Sequence, residues 1–193
     1  MKRNIFIQGL FAFVATLIGT ISTRAKSIMT KLPRVDKGFK VDAGKARNGK
    51  SISLFEGDTF FTKVSSRDTD GGLYVFESVR VNEGGPPLHY HFEQDEWWYI
   101  LQGEFLFKVG NETFTAKTGD SVFGPRMVPH AFAKVGKGEG KLLMLFQPAG
   151  KMEEHFKDIS DGLTAKMTDE ERKIFRKNNG FEVVGPPLTY LKQ

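Results

Sequence analysis

Two of the four histidines in this chain, His89 and His91, stand one residue apart in the run GGPPLHYHFEQDEWWYILQG, residues 84–103. On an extended strand, side chains two apart leave the same face, so both imidazoles aim at one point. Glu96 follows, five residues after His91 and across a short polar link. Two imidazoles and one carboxylate on neighbouring strands make half of a metal site, and a third imidazole is needed from elsewhere. His155 falls in a segment with helical periodicity. His130 falls in GDSVFGPRMVPHAFAKV, residues 119–135, which reads as strand, proline-bearing turn and strand. His130 is the better candidate because another strand of the same sheet system would carry it. Imidazoles with one carboxylate suit one divalent transition metal, Fe, Mn, Ni, Cu or Zn, rather than the all-oxygen shell that Ca or Mg prefers.

Short strand patterns bounded by glycine turns must position these residues. They cover residues 51–56, 60–64, 73–81, 96–101, 104–109, 112–116, 121–123, 131–135 and 141–147, with a further strand near 39–41. Gly110-Asn111 between two alternating runs predicts a hairpin. After Pro148 the period becomes helical. Met152, Phe156 and Ile159 mark a helix over 149–160, and Thr168–Glu171 is a capping-box match opening a second helix to about Asn178. Residues 181–184 could add a last strand. Ile174 and Phe175 are expected to face the barrel, and His155 to lie on a helix surface.

Both histidine runs resemble the two sequence motifs of the cupin superfamily. In the first, Gly, five residues, His-x-His, three or four residues, Glu, six residues and Gly are matched by His89, His91, Glu96 and Gly103, with Gly84 one place late. In the second, Gly, five residues, Pro-x-Gly, two residues, His, three residues and Asn are matched by Gly119, Pro125 and His130. Met127 replaces a turn glycine, and Lys134 replaces the asparagine. Methionine does not favour a left-handed turn. Within the superfamily, the chain resembles the single-domain, quercetinase-like cupins. The resemblance implies an all-β fold: a jelly-roll-like cupin barrel over 51–148, preceded by a linker and arm over 26–50. Two C-terminal helices and a tail, 149–193, would pack on the barrel. It also implies a metal held by His89, His91, Glu96 and His130. Asp95 and Glu93 are the competing carboxylates, and the six-residue gap to Gly103 favours Glu96. Trp98 shares the parity of Glu96 on its strand and is expected to wall the pocket. Arg126, beside His130, is expected to rim its mouth and to steer an anionic substrate. Lys108 and Arg80 read as ordinary surface charge.

Composition narrows the rest. With 193 residues, one domain can bury a core without staples. The absence of cysteine excludes disulfides, thiolate ligands and a cysteine nucleophile. Residues 1–25 carry Lys2, Arg3 and Arg24, an apolar run from Ile5 to Ile18 and no acid. That is the layout of a secretory leader cleaved near Ala25, and the run is short for a membrane span. Export to the periplasm or beyond is therefore expected, with no stable membrane span after processing. Without that segment, +2 remains of the formal charge of +5, too little to indicate nucleic acid.

The partners expected are a small-molecule substrate and, through an exposed barrel edge, a second copy in a homodimer. The resemblance implies a metal-dependent dioxygenase acting on a flavonol-like or other enolisable aromatic molecule, with Glu96 as general base. Other cupin chemistries stay open: a sugar isomerase or epimerase, a decarboxylase, or a cupin that binds a small molecule without turning it over.

Overall fold

A computed structural model describes residues 34–54 and 57–188 of this chain. The leader expected over 1–25 lies outside the described residues, as does the end of the tail. The first sheet contains β1 (Ile52–Leu54), β2 (Asp58–Val64), β3 (Tyr74–Arg80), β5 (Asp95–Gln102), β8 (Ser121–Gly124) and β10 (Gly140–Gln147). The second contains β4 (Pro87–His91), β6 (Glu104–Val109), β7 (Glu112–Lys117), β9 (His130–Val135) and β11 (Phe181–Pro187). Their spatial orders are β1-β2-β3-β10-β5-β8 and β11-β4-β9-β6-β7, and every pairing is antiparallel. Two helices follow the barrel strands, α1 (Met152–Ser160) and α2 (Asp169–Asn178).

The alternation along each strand explains why the sheets face each other. On β3 the buried residues are Tyr74, Phe76, Ser78 and Arg80, every second side chain. Phe60, Trp98, Phe105, Phe107, Phe132 and Phe146 meet these from neighbouring strands. Tyr74 and Phe76 stack at 4.9 Å, and Phe60 packs 4.4 Å from Phe76. Aromatic pairs at such spacings add to the apolar area they bury.

The capping box at α2 is present: Thr168 Oγ1 accepts from the Glu171 backbone N–H, and the Thr168 N–H donates to Glu171 Oε2 at 2.8 Å. Three expectations require correction. Residues 39–41 form no strand, because their backbone has no ladder partner among the described residues; instead the Arg47 guanidinium lies 3.9 Å from the Phe39 ring centre. Ile174 is 59% exposed. A helix turns about 100° per residue, and the inward face of α2 is that of Arg172, Phe175 and Arg176. Arg80 is buried, not a surface charge.

Arg80 is buried because its strand neighbour supplies a counter-charge. Asp58 lies directly across from it in the β2–β3 register. Arg80 Nη2 donates to Asp58 Oδ2 at 2.6 Å, and Ser78 Oγ donates to Oδ1 at 2.7 Å. Burial pushes the Asp58 carboxyl up, and Arg80 and Ser78 pull it back down. Removing one member of a buried pair strands the other without a partner. Asp58→Ala is expected to lower the unfolding free energy by about 3–5 kcal/mol, on the order of 10 °C in Tm for a domain of this size. Thermal and urea unfolding measure it, and a loss below about 1 kcal/mol would show that the pair is dispensable.

Candidate metal centre

The register of three strands, β4, β5 and β9, brings the predicted ligands together. His89 and His91 leave the same face of β4. His130 opens β9 directly opposite His89, so the two sequence motifs meet across one ladder. Glu96 comes from β5 in the other sheet, where it pairs with Phe146 on one side and Gly124 on the other. The donor atoms of these four buried residues all lie within 4.8 Å of one another.

Hydrogen bonding sets the ring nitrogens. His89 Nδ1 lies 2.8 Å from the Pro87 carbonyl oxygen, and His130 Nδ1 lies 2.9 Å from that of Val128. A carbonyl only accepts, so Nδ1 carries the proton in both rings and Nε2 of the neutral ring presents a lone pair. These lone pairs point at a carboxylate oxygen, which also only accepts. Glu96 Oε2 is 3.2 Å from His130 Nε2, 3.2 Å from His91 Nε2 and 3.8 Å from His89 Nε2. Two ring lone pairs and a carboxylate converging in a buried site call for positive charge between them. Protonating the rings would bury imidazolium groups, and burial instead pushes His91 below its ordinary value despite the adjacent Glu96. Three neutral imidazoles and an ionised carboxylate fit one divalent transition metal.

The two departures from the family pattern are absorbed locally. Met127 adopts φ 63°, in the left-handed region despite its side chain. Its side chain points to solvent, and its N–H donates to the His91 carbonyl at 2.8 Å, tying the His130 loop to β4. Gly84 and Lys134 exchange backbone hydrogen bonds, so the displaced glycine and the substituted asparagine position meet in space. Lys134 is buried, with its Nζ donating to the Gly136 carbonyl at 2.7 Å.

A cavity of about 520 Å³ opens onto the cluster through His89 and Glu96. Its walls include Phe60, Phe146, Phe156, Phe175 and Phe181, and its polar lining includes Asp58, Arg80, His155, Arg172 and Arg176. Neither Trp98 nor Arg126 lines it, contrary to the parity and proximity arguments. Trp98 is fully buried behind His130, with ring centres 5.4 Å apart. Gly124 makes room for that packing, because a Cβ there would sit 2.8 Å from the indole and 3.1 Å from His130 Nδ1. Arg126 is held at the surface by Asp95, with Nη2 2.6 Å from Oδ2. Asp95 is thereby removed from competition with Glu96.

His155 is buried too, contrary to its expected place on a helix surface, because α1 turns it toward α2 and β11. Its ring lies 5.0 Å from Phe175 and 4.9 Å from Phe181. The sequence signals for this second half of the cavity are faint. They are a histidine one residue before Phe156 in an amphipathic helix, and two arginines one turn apart in another.

Residues 75–146, which carry all four residues of the cluster, match the family model described as Cupin domain. Among curated proteins, the chain is similar to an uncharacterized protein of Methanocaldococcus jannaschii. The identity is 36% over 61 residues, covering 32% of this chain and 49% of that protein. It is also similar to the oxidoreductase iacF of Pestalotiopsis fici, 28% identical over 96 residues, covering 46% of this chain and 47% of that protein. The chain thus spans about half the length of the curated relatives it matches. Among solved structures, it resembles an RmlC-like cupin from Shewanella frigidimarina. That match has a TM-score of 0.48 and 20% identity, and covers 61% of this chain and 96% of that one. Among the described residues, no helix is long and apolar enough to cross a membrane.

Burial, reinforced by His91 and Arg176, lowers the His155 pKa from 6.5 to about 4. Between these values the unfolded chain binds a proton that the folded chain refuses. The stability from neutral His155 is therefore fully present above pH 6.5 and declines as pH falls toward 4. The decline is bounded by roughly 3 kcal/mol. His155→Phe is expected to flatten the fall of Tm over that window relative to wild type; parallel Tm–pH curves would exclude a neutral buried His155.

Proposed function

We propose that this cupin domain is a metal-dependent dioxygenase whose substrate is a small enolisable aromatic molecule of the flavonol or phenolic type. The observation that carries the reading is the convergence of three imidazole Nε2 atoms on one carboxylate oxygen at the inner end of an aromatic-walled cavity. His89, His91, Glu96 and His130 would hold the metal, which when bound supplies Lewis acidity and one-electron chemistry with dioxygen.

The remaining work falls to this chain's own side chains. The Pro87 and Val128 carbonyls fix the His89 and His130 tautomers. The short imidazole contacts of Glu96 fall on Oε2, leaving Oε1 to accept a proton from an acidified substrate hydroxyl. Phe60, Phe146 and Phe181 present flat faces to an aromatic ring and keep bulk water out. The name of the Pestalotiopsis fici relative, an oxidoreductase, agrees with this reaction class.

Elemental analysis of the purified protein is expected to find about one transition metal per chain. His91→Ala and His130→Ala should each lose most of it, and unchanged stoichiometry in either would refute the ligand assignment. With the metal in place, oxygen uptake on a panel of flavonols and phenolic acids should fall at least about 100-fold in Glu96→Gln. Turnover of the same substrate under nitrogen would overturn the dioxygenase reading.

A further inference from the structure

The cavity has two chemically different ends. One carries His89 and Glu96, and the other carries His155 with Arg172 and Arg176 from α2. Phe181 lies between them, 5.8 Å from the His89 ring and 4.9 Å from that of His155. Arg172 and Arg176 are one helical turn apart, so their guanidinium groups leave the same face as neighbours. Among the described residues neither has an ion-pair partner, and Arg172 Nε is buried with no hydrogen-bond partner. The two carboxylates in the cavity wall are already engaged. Asp58 is held by Arg80 at 2.6 Å, and Glu96 is surrounded by the histidines. His155 adds no negative charge. The α2 end is therefore a pair of half-buried like charges beside a phenylalanine-rich wall, and an anion between them would relieve their repulsion.

We propose that Arg172 and Arg176 are specificity-determining residues that clamp a carboxylate at the far end of the substrate from the metal cluster. The substrate class is then an aromatic acid whose ring lies among Phe156, Phe175 and Phe181. A planar guanidinium fork matches a carboxylate bidentately, and the phenylalanines contribute apolar burial. This deepens the proposed function by naming the substrate class, and it rests on that reading only for which end of the molecule reacts. The anion site itself rests on α2 and is independent of the metal.

The experiment is calorimetric titration of the full chain with 2-naphthoate and with its neutral analogue 2-naphthamide. The proteins are metal-loaded wild type and the variants Arg172→Gln, Arg176→Gln, Arg172→Lys and His91→Ala. Wild type is expected to prefer the acid by roughly tenfold or more. Each glutamine variant should lose most of that preference while binding the amide as before, and Arg172→Lys should retain part of it. His91→Ala, depleted of metal, should keep the preference, so failure of the metal reading leaves this result standing. Equal binding of acid and amide by wild type would overturn the proposal, as would absence of naphthoate binding at millimolar concentration. A preference lost in His91→Ala but kept in the arginine variants would assign the anion to the metal. Parallel loss of both ligands in the glutamine variants would reduce the arginines to a structural role. Either outcome also overturns the clamp.

Discussion

Everything in the site follows from one electrostatic constraint: hydrogen-bond acceptors face each other across a dry gap. Backbone carbonyls at residues 87 and 128 take the Nδ1 protons of His89 and His130, which turns the Nε2 lone pairs toward Glu96. An ionised carboxylate, like a ring lone pair, only accepts. Positive charge between the groups resolves the conflict, and a divalent cation does so without adding protons that the interior disfavours. The barrel keeps this conflict in place because each group sits on a paired strand. His89 opposes His130, His91 opposes Phe181, and Glu96 lies between β10 and β8. Sites carried on strands are held more precisely than sites on loops, which is the condition for a selective site.

The helices turn this site into a chamber. Without α1 and α2, His89 and Glu96 would lack the walls given by Phe156, His155 and Phe175. The helical segments carry the groups least expected in an apolar interior, a histidine and two arginines. His155 is buried and the two arginines are half-buried, for a different reason from Asp58 and Arg80. The sheet pair is satisfied internally, with both carboxylate oxygens bonded, and needs nothing from outside. The α2 pair is not satisfied by its own chain. That contrast separates a structural ion pair from a recognition surface within the same cavity.

Departures from the family pattern show how much a barrel tolerates when backbone hydrogen bonds are kept. Met127 occupies a backbone conformation suited to glycine, yet its N–H still reaches the His91 carbonyl. The family glycine falls one residue late, and Gly84 still pairs with residue 134. In both places a main-chain contact ties down a ligand-bearing segment. Met127 turns its side chain to solvent, and Lys134 buries its stem with Nζ on the Gly136 carbonyl.

Period-two alternation and glycine turns were enough to read most of the barrel strands, and the His89–His91 spacing their shared direction, because both are written locally, while the choice of Glu96 rested on the resemblance to the cupin motifs. A strand's inward face and a ligand pair's common direction follow from neighbouring residues, and the Thr168 capping box is likewise a matter of four consecutive positions. The tertiary structure alone decided what those faces meet. Parity placed Trp98 inward, but only packing put it behind His130 instead of in the cavity. Proximity placed Arg126 near the site, but Asp95 captured it. Arg80 and His155 read as surface groups because the partner of the first is 22 residues away and the walls of the second lie on α2 and β11. Burial of a charged side chain depends on the counter-charge or ring that folding brings to it, and no local pattern along the chain records that.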